Sequence, residues 1–155
     1  MIFSSKAEYG VRLMVELGRQ SPEQPTSLKA IADAEGLPLA YLEQVVARLR
    51  KAGLVMSARG AHGGYWLARP AEEISLADVI RAIDGPLANV HDTSLAALAY
   101  PGPAEHLREV WMAVRTSLRS VLEVVSLADL ASGGLPDRVQ KLAAEYEADV
   151  RTYQT

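Results

Sequence analysis

The 155-residue chain contains no cysteine. That absence excludes a disulfide framework, thiol catalysis, and zinc or iron–sulfur centres held by thiolates. It also lacks any run of about 18 apolar residues, the length a membrane-spanning helix needs. The first residues, MIFSSKAEYG, lack the basic start, apolar middle and cleavage site of a signal peptide. The expectation is a cytoplasmic protein with no membrane partner. Internal repeats and low-complexity tracts are missing as well, and no Ser/His/Asp or paired-carboxylate arrangement stands out, so an enzyme is not expected.

What is present is ordinary globular material, 49% hydrophobic and 23% charged. The length suits one domain, or a small domain carrying an appendage. The net charge of −3 hides an asymmetry, because residues 1–70 hold nine Lys/Arg against six Asp/Glu while residues 71–155 hold seven against thirteen. Within the first half, RLRKAGLVMSARG (Arg48 to Gly60) has four basic residues and no acid. Such a surplus suits a polyanion, although a scattered solvated surface has the same composition.

The spacing of Tyr9, Leu13, Met14 and Leu17 predicts a helix over Ser5 to Arg19. Thr26 or Ser27 can cap a short second helix, LKAIADAEG, with Gly36 as a left-handed stop. Pro38 suits the start of a third helix, whose inner face is Tyr41, Leu42, Val45 and Leu49 and which stops at Ala52-Gly53. LVMSA and YWLA then read as two short strands joined by RGAHGG, a hairpin. In EEISLADVIRAIDGP, Ser75 followed by Asp78 marks a capped helix that closes at Gly85-Pro86. Residues 87–103 carry no clear period and read mostly as loop.

From Ala104, the residues Leu107, Val110, Trp111, Val114, Leu118, Val121, Leu122 and Val125 form a helical stripe that must be covered. An intramolecular core could cover it. The small first module offers little surface for that, so a self-association helix is the better expectation. Val139, Leu142, Tyr146, Val150 and Tyr153 predict a final amphipathic helix over Pro136 to Tyr153.

The stretch RGAHGGYWL (Arg59 to Leu67) admits three readings. A phosphate cradle needs a helix after its glycines, and here a strand follows. A metal loop needs partners, and His62 has no acid or second histidine within seven residues. The remaining reading is a hairpin tip. Helix, turn, helix and hairpin in this order form a winged helix-turn-helix, whose second helix enters the major groove while the hairpin reaches an adjacent groove or phosphates. An arginine at the tip can lie in a narrow minor groove. Gln44 has the shape to pair with adenine and Glu43 to accept from cytosine, although both also suit an ordinary polar helix face.

The blocks SKAEYGVRLMVELG, SLKAIADAEGLPLAYLEQVVARLRKAGLV, RGAHGGYWLARP and ISLADVIRAIDGP resemble the bacterial winged-helix regulators that include the iron–sulfur cluster regulator, the nitric-oxide-sensitive repressor and the cysteine-metabolism repressor. The close match spans residues 1–86. The resemblance implies a mainly α fold with a small β-hairpin wing, and a homodimer built on crossed long helices that binds a double-stranded operator of two-fold symmetry. It divides the chain into a DNA-binding domain (1–86), a sensor-type loop (87–103) and a dimerisation and C-terminal region (104–155).

Carried over by position, Ala40, Tyr41, Glu43, Gln44 and Arg48 fall on the recognition helix and Arg59 and Gly60 at the wing tip, with Thr26 and Ser27 placed to donate to phosphate. His62 is left with two readings, a phosphate contact or a solvated turn residue.

The sensor departs from the family. Members that bind a cluster place three cysteines in the loop aligned with 87–103 and the start of the long helix, and this chain has none. No cofactor is expected. Glu8, His91, Asp92, Glu105, His106 and Glu109 are the only candidates for an oxygen/nitrogen metal site, and solvated side chains account for them equally well. A small-molecule effector near Leu95, Tyr100 and Trp111, or no ligand, is preferred. The alternative function is a protein-interaction module on the same fold without specific DNA binding.

Overall fold

In the computed structural model, which describes residues 3–21, 23–88 and 94–153, with side chains 151–153 outside the description, four of the α-helices begin at a serine whose side chain accepts from a free N–H of the first turn. Ser4 accepts from the Ala7 N–H to open α1 (Ser5–Arg19). Ser27 accepts from Ala30 to open α2 (Leu28–Glu35), which ends on Gly36 at φ 63°, a left-handed turn that costs glycine nothing. Then α3 (Leu39–Lys51) follows Pro38, and β1 (Val55–Ala58) pairs antiparallel with β2 (Gly64–Leu67), Met56 opposite Trp66. Ser75 and Asp78 form a complete capping box at α4 (Leu76–Asp84).

The winged helix-turn-helix thus forms as expected, with one difference in α3. Its buried face is Leu42, Val45, Val46 and Leu49. Tyr41 is 45% exposed, its ring edge-on against Tyr9 at 5.8 Å. Leu13, Met14, Ile31, Leu42, Leu49 and Ile83 lie within the core, where α1 packs against α3 and α4.

Beyond α4, residues 94–106 contain short 3-10 turns at Leu95–Ala97 and Gly102–Ala104. The long helix α5 (Leu107–Leu122) stops earlier than its stripe suggests. Val125 is buried outside it, beside a short helix the periodicity does not reveal, α6 (Leu127–Ser132), which packs on α1. Its start is locked to that of α4: the Leu76 N–H donates to the Val125 carbonyl at 2.9 Å, and the Leu127 N–H to the Ile74 carbonyl at 3.0 Å. The last helix is α7 (Asp137–Tyr153).

The α5 stripe divides into two edges. Leu107, Trp111, Leu118 and Leu122 are half-buried or buried, whereas Val110 and Val114 are 52% and 40% exposed. One polar clasp fixes α5 to α4. Arg119 Nε donates to Glu123 at 2.9 Å, and Arg81 donates to the same carboxylate oxygen. These hydrogen bonds, Arg119's first, lower the Glu123 carboxyl from its ordinary 4.5 to about 2. A lowered carboxyl stabilises the fold above its unfolded value and loses that contribution as pH falls toward the folded one. Stability should therefore fall as pH drops from 4.5 to about 2, and Glu123→Gln should flatten that limb of a thermal-unfolding series. Equal slopes in the two proteins would remove the clasp from the acid response.

Candidate nucleic-acid interface

The exposed edge of α3 carries Ala40, Tyr41, Glu43 and Gln44, all solvent-facing because the helix turns Leu42, Val45 and Val46 inward. On the wing, Arg59 follows β1 and Gly60 sits at φ 105°, where its carbonyl accepts from the Gly63 N–H at 3.0 Å. Arg59 and His62 are exposed at this turn, and neither makes a hydrogen bond or ion pair among the described residues. The tip therefore presents an uncommitted cation and a glycine backbone, the combination a phosphate-lined groove accepts.

The wing is tied to the helix-turn-helix through Thr26. Its N–H donates to the Tyr65 carbonyl at 3.0 Å, and its carbonyl accepts from the Tyr65 N–H at 2.9 Å. Ser27, next in the chain, uses its Oγ as the α2 cap at 3.1 Å. Thr26 and Ser27 thus set the angle between wing and α2 as well as standing at an exposed helix start.

Arg48 is exposed as well, but its guanidinium is engaged within the fold. Its Nη1 donates to the Ile83 carbonyl at 2.5 Å, which ties α3 to the end of α4. Arg48→Ala should weaken DNA binding by tilting α3, while leaving the dependence of log K on log salt unchanged. A lost phosphate contact would instead reduce that slope by about 1. Arg50 is a residue the position-by-position transfer omits. It is exposed and donates to Ser57 Oγ on β1 at 3.2 Å, which sets a cation between α3 and the wing. The basic run RLRK is the signal that could have found it.

Among the described residues the metal candidates do not assemble. His91 and Asp92 lie outside the described residues. Glu8 pairs with Arg12 at 3.5 Å. Glu105 and Glu109 stand 3.4 and 3.8 Å from the two ring nitrogens of His106, all three largely exposed at the start of α5. Among the described residues no three His, Asp or Glu form a group able to hold a metal ion. In the loop, Leu95 is 3% exposed, and Arg108 donates to the Leu95 and Ala96 carbonyls at 3.3 and 3.4 Å. On the same helix as Arg108, Trp111 Nε1 is buried with no hydrogen-bond partner among the described residues.

A recognition helix, a hairpin wing bonded to the helix-turn-helix, and a long helix with an open apolar edge define a bacterial winged-helix DNA-binding transcriptional regulator. The chain belongs to the Rrf2 family, whose model, described as an iron-dependent transcriptional regulator, matches residues 3–133.

A helix-turn-helix-type transcriptional regulator of Mycobacterium tuberculosis is 49% identical over 152 residues, covering 98% of this chain and 94% of its own. The regulator CymR of Bacillus subtilis is 43% identical over 132 residues, covering 85% and 91%. The solved structure of that CymR, described as the global cysteine regulator, superposes with a TM-score of 0.72 at 42% identity over 85% of this chain and 97% of its own. The IscR structure of T. potens gives 0.67 at 41% identity over 86% and 88%.

These relatives are transcriptional regulators, and the chain is a regulator rather than an enzyme. The iron in the family's description does not fit a thiolate cluster here. The chain has no cysteine, and residues 94–104, SLAALAYPGPA, contain no His, Asp or Glu. No helix among the described residues is long and apolar enough to cross a membrane.

Proposed function

We propose that the protein is a cytoplasmic homodimeric repressor that reads a palindromic operator with two copies of α3 and two wings, under a control that does not use cysteine. In this reading residues 1–86 read DNA, 87–103 hold the sensor-type segment, and 104–155 supply the dimer contacts, with α6 returning to the reading unit. We place the control in a small-molecule effector bound near Leu95, Tyr100 and Trp111.

The observation that carries the reading is the pairing of an exposed polar α3 edge, Glu43 and Gln44, with an uncommitted Arg59 at the wing tip. The open Val110–Val114 edge of α5 supports the dimer, because a symmetric self-contact removes that surface from water. Selection of genomic fragments on the purified protein should return an enriched palindrome. With that operator, Arg59→Ala should lower affinity by about 1–3 kcal/mol if the arginine reads a groove. Fluorescence anisotropy at matched salt measures this, and an unchanged Kd would remove the wing from recognition. Selection that enriches no palindrome would favour a protein-interaction module instead.

A further inference from the structure

Buried hydrogen-bond donors in folded proteins almost always find an acceptor, so each exception asks for a reason. Among the described residues only two buried side-chain nitrogens have no partner, Trp111 Nε1 and Arg115 Nε. Both belong to α5 and stand four residues apart, which places them one above the other on a single helix face. Both residues are half-buried, with these nitrogens on their inner edges.

The charge on that face is equally uneven. Four arginines among the described residues are half-buried. Arg12 is paired with Glu35, Arg81 with Glu123, and Arg108, two turns before Arg115, donates to the Leu95 and Ala96 carbonyls. Arg115 alone has no hydrogen bond or ion pair among the described residues. Between Glu109 and Glu123 the chain carries no acid, and Arg119, the other cation there, is held by Glu123.

Three features select a ligand. A half-buried guanidinium without a counter-charge favours an anion, and its planar fork fits a carboxylate through two parallel N–H···O bonds. One cation balances one negative charge, and the excess of acid over base in residues 71–155 disfavours a polyanion such as a nucleic acid. The indole N–H only donates, so it takes a neutral oxygen of the same molecule, about 6 Å along the helix from the carboxylate at a rise of about 1.5 Å per residue.

We propose that Trp111 and Arg115 form a site for a small organic monocarboxylate, whose carboxylate the guanidinium holds while a carbonyl or hydroxyl oxygen accepts from the indole. This rests on the effector reading above and gives that effector its charge and its second functional group.

The test titrates the full-length protein with levulinate, which carries a carboxylate and a ketone, and with valerate and methyl propyl ketone, which carry one each. Inorganic phosphate is the fourth probe, and ionic strength is matched throughout. The chain has two tryptophans, so the Trp111 indole N–H resonance, identified by its loss in Trp111→Phe, is followed by NMR with Trp66 as internal reference. Levulinate should shift the Trp111 resonance and bind at least tenfold more tightly than either single-group probe. Arg115→Gln should abolish that advantage over the ketone. Trp111→Phe should make levulinate and valerate equivalent, read from the Arg115 Nε–H resonance. A ketone that binds as well as levulinate and ignores Arg115→Gln would overturn the carboxylate and leave an uncharged effector at Trp111. Preferred binding of phosphate, or a Trp111 resonance that no probe moves, would overturn the site. So would a strong coupling between Asp92→Asn and Arg115→Gln in a stability cycle, by supplying the counter-charge from within the chain. Levulinate binding that leaves operator affinity unchanged would bring down the effector reading and uphold the site.

Discussion

Gly64→Ala should unseat the wing and cost more than any other single methyl added to the hairpin's positive-φ glycines. Gly64 adopts φ 146°, and a Cβ there would stand 2.7 Å from the Thr26 carbonyl oxygen and 2.9 Å from its nitrogen. Both are backbone atoms of the bridge that ties the wing to α2, so no side-chain rotation relieves the clash. A strained non-glycine residue costs of order 1–3 kcal/mol, and the two Thr26–Tyr65 hydrogen bonds would be stretched in addition.

The melting temperature should fall by roughly 2–4 °C per kcal/mol for a chain of this size. Operator affinity should fall further than stability predicts, because Arg59 moves with the wing. Gly60→Ala supplies the comparison. Gly60 has φ 105° but open space where a Cβ would go, so that variant carries backbone strain without a collision. Calorimetry and anisotropy on both variants distinguish the two terms. Equal losses would mean that the approach to Thr26 does not matter.

The second large effect is expected from Val114→Asp. Val114 lies midway along the exposed edge of α5, with Val110 one turn before it and Val121 two turns after. An unpaired carboxylate forced into an apolar interface costs several kcal/mol, and every 1.4 kcal/mol is a factor of ten in association. Sedimentation should show the weight-average mass falling to that of one chain at micromolar concentration. Binding to a full operator should weaken more than a hundredfold, since a lone protomer reads one half. Thr116→Asp, exposed on the other side of α5, should leave both properties unchanged. A Val114→Asp protein that remains dimeric would show that α5 pairs through another edge.

How much of this was legible in the sequence depends on how far apart the cooperating residues lie. Local signals read correctly: Ser75 with Asp78, Gly36 after α2, Pro38 before α3, and the glycines between two β-branched or aromatic runs all act within a few residues. The helix α6 was missed although its opening tetrapeptide, SLAD at 126–129, is the same one that starts α4 at 75–78. Its signal was hidden because the α5 period runs into Val125. Arg48 stays on the exposed face that spacing gives it, and what the sequence hides is its hydrogen bond. Helical spacing assigns it to an outer face, but a long flexible side chain can reach back, and its partner Ile83 lies 35 residues away. Tyr41 shows the same limit, since period alone groups it with Leu42 and Val45, while the tertiary fold seats Val46 there and leaves the ring against Tyr9.

The last turn of α4 receives three tethers from different parts of the chain. Ser4 donates to Asp84 at 2.7 Å, Arg48 to the Ile83 carbonyl, and Glu123 takes the Arg81 guanidinium. In a dimer, the tilt of this nine-residue helix would fix how far apart the two reading heads stand. The distance between operator halves would then be measured by α4, acting as a ruler that touches no DNA. Base preference and spacing preference would become separable traits, the first altered on α3 and the second at Arg81 or Asp84.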